Sequence, residues 1–518
     1  MNTPKRLVAV VAALAAASLA LTGCLVEFIP DQTSSSSRPG ASSAPDTEGV
    51  APELVQFYGQ HIEFTPCADG DECAKVTAPE NWDDPGAGSI ELAIIRHRAS
   101  GGHPLGSLLV NPGGPGASGV ELVRDSLTFA VGDDLERNYD VIGFDPRGVG
   151  ESTAVACYDS KQMDAYLFDI PKAKRGTEAW RDEILAGAKK FGQACKQNSH
   201  GILPDVNTEF AARDMDLLRA VLGDKKLNYL GYSYGTFLGA TYAKLYPEKV
   251  GRFVLDGAIN PAASGLQVSV AQGIGFESAL RAYMPSCLKS RQCPFAGSVD
   301  DAMADLGTML ARVDRSPERN SDGRMLGADA LVSAIVAALY SEDSWPYLTQ
   351  ALADVAKGNP SVAYQLVDFY YNRVDGKYQD NSYEAFNAYN CMDYPADATA
   401  AQKKAAAAEL AKKAPTIAPY WGVDVDGCSV WPYKPTGVRE PIHAAGAGPI
   451  LVIGTTNDPA TPYQWAVELA DQLDSGILIS RVGEGHTGFN KGSSCVDDTV
   501  NAYFVDGTVP DKDVRCEH

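Results

Sequence analysis

KLNYLGYSYGTFLGATYAKLYPEKV, residues 226–250, decides the fold. A short apolar run beginning at Leu227 leads into Gly231-Tyr232-Ser233-Tyr234-Gly235, and a helical pattern follows. The motif has the form G-x-S-x-G. At a sharp strand-to-helix turn, small residues on both sides let the chain pass while the serine hydroxyl stands exposed. The next backbone N–H, from Tyr234, then lies at a helix N-terminus, where donors have no intrahelical acceptor. The pattern alone is weak, because a chain with 49 glycines in 518 residues produces chance matches. A plain strand–helix turn would look the same, so the weight falls on the context.

Working outward, the chain alternates strands and helices. SIELAIIRHRA (89–99), SLLVN (107–111), YDVIGFD (139–145), RFVLDG (252–257), PILVIGT (449–455) and ILISRVG (477–483) read as strands bounded by turn signals. Short apolar runs of this kind suit the buried strands of a mostly parallel sheet. TEFAARDMDLLRAVLG (208–223) places Phe210, Met215, Leu217, Leu218 and Val221 roughly on one helical face. The expected class is α/β, with helices flanking the sheet. The rhythm breaks between RFVLDG and PILVIGT, where helical patterns such as 328–340 and 401–413 occur without a clear core strand. A structureless loop of that length is improbable, so an inserted, mainly helical cap is expected.

A serine nucleophile needs a base and an orienting acid, in the order Ser, Asp or Glu, His for this architecture. Asp458 follows the strand PILVIGT, and His486 follows ILISRVG in GEGHTG. Ser233, Asp458 and His486 are therefore the expected triad, each just past a strand's carboxyl end, where α/β sheets form their sites. Two βα units need roughly 60–80 residues; the excess between Ser233 and Asp458 is the insertion, which would lie over the site. Oxyanion donors are expected from Gly114, in the loop NPGGPGASG (111–119), and from Tyr234. The same loop contains G-x-G-x-x-G with Asp145 ending the next strand, a superficial dinucleotide fingerprint that would leave Ser233, Asp458 and His486 unexplained.

Taken together, NPGGPG, DPRGVGES, GYSYGT, DPATP and GEGHT resemble the α/β-hydrolase peptidases related to proline iminopeptidase, and within them the exported tripeptidyl aminopeptidase branch of Gram-positive bacteria. The likeness covers roughly residues 60–505. It implies a Ser nucleophile matched by Ser233, an Asp matched by Asp458, a His matched by His486, and release of short peptides from a free N-terminus. Proline iminopeptidases usually carry H-G-G-P-G at the oxyanion loop. Asn111-Pro112 before Gly113-Gly114-Pro115-Gly116 suits the tripeptidyl branch better.

The ends and the bulk composition agree with export. Lys5 and Arg6, the apolar stretch Leu7 to Leu21, and Leu21-Thr22-Gly23-Cys24 form a signal peptide (1–23) that resembles a bacterial lipoprotein signal, with a lipid expected on Cys24. The Ser- and Pro-rich segment after it is an expected flexible tether (24–50). The hydrolase core is then expected over 51–261 and 421–518, with the cap at 262–420. A net charge of −22 argues against nucleic-acid binding. No zinc spacing or H-E-x-x-H occurs, and no cofactor or metal is expected. Beyond Cys24, ten cysteines remain, and pairing of sequence neighbours is the simplest expectation.

Some residues have competing roles. An aminopeptidase must hold the substrate's α-ammonium with a carboxylate, and Glu277, Glu384 and Asp393 are the candidates in the insertion. Thr461 either supports Asp458 or caps the next helix in Thr461-Pro462-Tyr463-Gln464, the cap being favoured. Arg147 is expected to be structural, and Asp256 either reaches the cleft or closes an ordinary turn. Two rivals remain: a lipase or esterase on the same framework, and a non-catalytic binding lipoprotein.

Overall fold

The computed structural model describes residues 44–68 and 70–517. The expected signal peptide, Cys24 and most of the expected tether lie outside the described residues. Among the described residues no helix is long and apolar enough to cross a membrane.

Ten strands form one sheet: β1 (Thr65–Ala68), β2 (Asp71–Pro79), β3 (Ser89–His97), β4 (Ser107–Asn111), β5 (Asp140–Phe144), β6 (Leu227–Tyr232), β7 (Val250–Asp256), β12 (Ile450–Asn457), β13 (Gly476–Glu484) and β14 (Val514–Cys516). Two-residue strands pair as small ribbons within the insertion, β8 (Glu318–Arg319) with β9 (Met325–Leu326) and β10 (Arg373–Val374) with β11 (Lys377–Tyr378). The sheet order is β1-β2-β3-β5-β4-β6-β7-β12-β13-β14. All pairings from β5 to β14 are parallel, while β1, β2 and β3 join antiparallel at one edge. The central strands are covered on both faces, which is why they read as continuous apolar runs. Leu109, Ile142, Tyr229 and Leu255 belong to the apolar core on one face; Val110, Val141, Leu230 and Val254 belong to that on the other. Every strand expected from sequence is present. The edge strands β1, β2 and β14 were not expected, because β2 interleaves charged with small residues and leaves no continuous apolar run, and β14 is three residues long.

Seven helices lie between β7 and β12: Gly265–Lys289, Val299–Arg315, Ala328–Leu339, Trp345–Val355, Ser361–Tyr370, Ser382–Asp393 and Ala400–Lys413. Most share an apolar core of their own, including Leu280, Leu306, Leu331, Ile335 and Leu348. The helix Ser382–Asp393 departs from this. Its Ala385, Ala388 and Tyr389 pack into the core of the sheet. Tyr389 Oη donates to the Arg147 carbonyl at 2.8 Å, and Asn381 Nδ2 donates to the carbonyls of Gly148 and Val155 at 2.9 and 2.7 Å. Part of the segment expected as cap is thus bonded directly to the α/β core. The expected tether also ends early, because Asp46 is bonded to the core through Ala220 and Arg219.

The ten cysteines pair as sequence neighbours: Cys67–Cys73, Cys157–Cys195, Cys287–Cys293, Cys391–Cys428 and Cys495–Cys516. The first staples the β1–β2 hairpin, and the last ties β14 to the helix Ser494–Asn501. Arg147 is fully buried and structural. Its guanidinium grips Asp214 at 2.6 and 2.7 Å and donates to the carbonyls of Pro79 and Glu80 at 3.1 and 2.8 Å.

Candidate active site

Ser233 sits between β6 and the helix Tyr234–Leu245 with φ 53° and ψ −121°. An L-residue in that region is strained, and such strain persists only where the surroundings over-determine it. Here they do. Ser233 N–H donates to the Asp256 carbonyl at 2.8 Å, and the Ser233 carbonyl accepts from Thr236 N–H and Oγ1 at 2.9 and 2.6 Å. The flanking glycines are required by packing. A Cβ at Gly231 would lie 2.5 Å from the Gly235 carbonyl, and one at Gly235 would lie 2.8 Å from Asn111 Oδ1. Ser233 Oγ makes no hydrogen bond among the described residues.

Asp458 follows β12 and is buried. Its Oδ1 accepts the N–H groups of Ala460 and Thr461, both at 2.9 Å, and its Oδ2 accepts Thr461 Oγ1 at 2.9 Å and Thr487 N–H at 3.1 Å. His486 Nδ1 stands 2.8 and 3.0 Å from the two carboxylate oxygens. An ionised carboxylate only accepts, so Nδ1 carries the proton and Nε2 is left as the basic nitrogen. Thr461 is not the expected helix cap. The helix Tyr463–Gln472 begins after Pro462 with no side-chain cap, and the Thr461 hydroxyl is committed to Asp458, 3.3 Å from His486 Nδ1.

The loop carrying His486 is held residue by residue. His486 N–H donates to the Tyr340 carbonyl in the insertion, Thr487 N–H to Asp458, Gly488 and Phe489 N–H to Asp256, and Asn490 N–H to Asp497. The Tyr340 ring meets the imidazole edge-on, with centroids 5.2 Å apart.

The loop after β4 lies against Ser233. A Cβ at Gly113 would come within 2.9 Å of Ser233 Cβ and 3.0 Å of Tyr234 N. Gly113 N–H is taken by Asn111 Oδ1 at 3.0 Å. Gly114 N–H has no acceptor among the described residues, and Tyr234 N–H is the first of its helix and has none within it. The dinucleotide alternative fails on Asp145. That carboxylate is buried and accepts Ser118 Oγ at 2.5 Å, Val120 N–H at 3.1 Å and Glu151 N–H at 2.8 Å, so it is spent on the loop itself.

Beside His486 opens a cleft of about 750 Å³, lined by Pro112, Phe129, Tyr232, Tyr340 and Phe369, with acidic Glu342, Asp343 and Glu484 and basic Arg481 and Lys491. Its size is that of a small-ligand site. Arg481 is spent on the carbonyls of Glu484 and Lys491, and Lys491 Nζ lies over the Phe129 ring, where burial lowers its pKa to about 8. Burial and the nearby Glu342 charge raise the pKa of the Glu484 carboxyl, against its bond to Asn457. The carboxylates of Glu342 and Asp343 form no ion pair among the described residues.

Glu277, Glu384 and Asp393 do not line this cleft. All three are buried with raised pKa values, Asp393 to about 6, and burial is the main cause in each. Glu277 accepts Thr416 and Ile417 N–H, Glu384 accepts Cys157 and Tyr158 N–H, and Asp393 accepts Thr208 N–H and Oγ1. They bond distant segments together and are occupied, so the expectation of an ammonium partner among them is corrected. Glu342 and Asp343, which sequence reasoning missed, sit in SEDSW between two helices, where acids read as ordinary first-turn residues. Among the described residues no group of three or more His, Cys, Asp or Glu side chains is placed to hold a metal ion.

A mostly parallel sheet wrapped by helices, with a strained serine at a strand–helix turn, makes this a serine hydrolase of the α/β-hydrolase fold. Residues 414–516 match the family model described as TAP-like protein. The chain is 33% identical to serine protease Hip1 of Mycobacterium tuberculosis over 99% of its own length and 98% of that protein's. It is 38% identical to carboxylesterase B of the same organism over 96% of both chains, and 30% identical to a tripeptidyl aminopeptidase of Streptomyces lividans over 86% and 83%. The chain belongs to this TAP-like family of α/β-hydrolases.

Proposed function

We propose that the protein is an exported serine peptidase that releases short peptides, tripeptides in particular, from free N-termini. Ser233 Oγ attacks the scissile carbonyl while His486 Nε2 takes its proton. Asp458 fixes the imidazole tautomer and stabilises the imidazolium. The N–H groups of Gly114 and Tyr234 receive the oxyanion. The imidazolium protonates the leaving amine, and water then hydrolyses the acyl-enzyme on Ser233 by the same steps in reverse roles. The strained, half-buried Ser233, packed against Gly113 and followed by the unbonded Tyr234 N–H, with the unbonded Gly114 N–H next to Gly113 in the chain, is the observation that supports this most directly.

For the peptide specificity, support comes from the cleft. Its aromatic walls suit side chains, and Glu342 and Asp343 are unpaired acids facing a space where an α-ammonium would sit. The test is a chromogenic tripeptide amide with the N-terminus free or acetylated. Cleavage strongly favouring the free form is expected, and neutralising the two acids together (E342Q/D343N) should bring the free-to-acetylated ratio of kcat/KM toward one. Equal cleavage of both forms by the unaltered protein would mean an endopeptidase. The name of the carboxylesterase relative favours the ester alternative; a protein that cuts a short acyl ester and neither peptide would establish it.

Export follows from the signal-like first 23 residues, and a lipid on Cys24 would tether the protein to the outer side of the membrane. Radiolabelled fatty acid should enter the wild-type chain and be lost in Cys24→Ala.

A further inference from the structure

We infer that Asp256 is a second positioning carboxylate of this site, setting the loop of His486 and the turn of Ser233 in one register and placing a second negative charge behind the imidazole. The inference rests on the proposed roles of Ser233 and His486.

Asp256 is the last residue of β7, the strand between β6, which ends before Ser233, and β12, which ends before Asp458. It pairs with Tyr232 on one side and Ile453 on the other. Its two ends serve different parts of the site. The carbonyl accepts Ser233 N–H at 2.8 Å, fixing the strained turn. The carboxylate accepts Gly488 N–H at 2.8 and 3.0 Å and Phe489 N–H at 2.8 Å, two and three residues beyond His486. That loop needs holding, because Thr487 and Asn490 have φ 71° and 58° without being glycine. The adjoining Gly257 brings the backbone against the ring; a Cβ there would lie 3.1 Å from His486 Cε1. One residue therefore couples nucleophile and base by accepting the N–H groups of Ser233, Gly488 and Phe489.

The charge of Asp256 is a separate matter. The side chain is fully buried and forms no ion pair among the described residues. Burial pushes its carboxyl up to about 6, with the Asp458 charge acting in the same direction, while the Gly488 and Phe489 N–H groups and His486 pull it down. Lys491 from the same loop and Tyr232 from β6 also feel its charge. A buried carboxylate satisfied only by amides is expensive where a neutral acceptor would hold the same loop. What the charge adds is attraction for an imidazolium: Asp458 contacts Nδ1 directly, and Asp256 acts through space. Asp256 touches neither substrate nor the proton in flight.

The test is Asp256→Asn in the full mature chain, which keeps the size and one acceptor but removes the charge. With a chromogenic tripeptide amide, kcat/KM should fall about 10- to 100-fold, mostly in kcat. The acid limb of the kcat/KM–pH profile should move to lower pH, because losing a neighbouring negative charge disfavours the protonated imidazole. A role in packing alone would lower the melting temperature and leave that limb where it was, and this result overturns the proposal. Asp256→Ser, also uncharged, supplies the comparison if the asparagine variant does not accumulate. Labelling of the unaltered protein by an active-site phosphonate separates the two levels. Label on Ser233 with an unmoved acid limb removes Asp256 alone, whereas label absent from Ser233 removes the underlying roles and the proposal together.

Discussion

Ser233→Ala should lower kcat/KM for a tripeptide amide by about 10⁴- to 10⁶-fold. The substitution removes only Oγ, an atom with no hydrogen bond to the rest of the described chain, so the fold loses nothing that depends on it. Alanine keeps the same backbone position, and the bonds from Ser233 N–H to Asp256 and from Thr236 to the Ser233 carbonyl remain available. Melting behaviour should therefore match the unaltered protein, which isolates the chemical loss. Residual turnover about 10³-fold above water should survive, supported by the Gly114 and Tyr234 donors and by binding. His486→Ala should cost nearly as much, and the double variant little more, because the two act as one unit. Steady-state rates on one substrate check all three. Rates close to those of the unaltered protein in Ser233→Ala would end the proposed mechanism.

Asp214→Ala should destabilise the protein by about 3–5 kcal/mol. Asp214 and Arg147 are both inaccessible to solvent, and the carboxylate also accepts Trp82 Nε1 at 2.9 Å. Removing it leaves a guanidinium charge in the core with only the carbonyls of Pro79, Glu80 and Asp205 as acceptors among the described residues, and strands the indole donor. Replacing both partners with apolar residues of similar volume should cost much less, because no unpaired charge is then buried. Denaturant unfolding of the single and double variants measures the difference. Equal losses in the two would show that the penalty is packing.

Much of the proposed site was legible because its logic is local. Ser233, Asp458 and His486 each follow a short apolar run and a turn signal, so position at a strand end could be read from neighbours. The strands expected in the middle of the sheet appear for the same reason: burial on both faces writes itself as a continuous apolar run. The edge strands β1, β2 and β14 were invisible, since half-exposed or three-residue strands leave no such run. Thr461 was misread because a capping box and a hydroxyl turned toward Asp458 have the same local spelling. The structure separates them by where the hydroxyl points.

By itself the sequence determined the α/β alternation, the order of Ser233, Asp458 and His486 and the helical insertion, all set by short-range pattern or chain order, while the cysteine connectivity came from the tertiary structure. Only the tertiary structure decided which carboxylates are free. Glu277, Glu384 and Asp393 meet backbone donors 139, 227 and 185 residues away, and Asp256 meets the loop of His486 across 232. Whether a buried acid faces an amide or an open cleft depends on which segments the fold brings together, and no residue's neighbours in sequence record it.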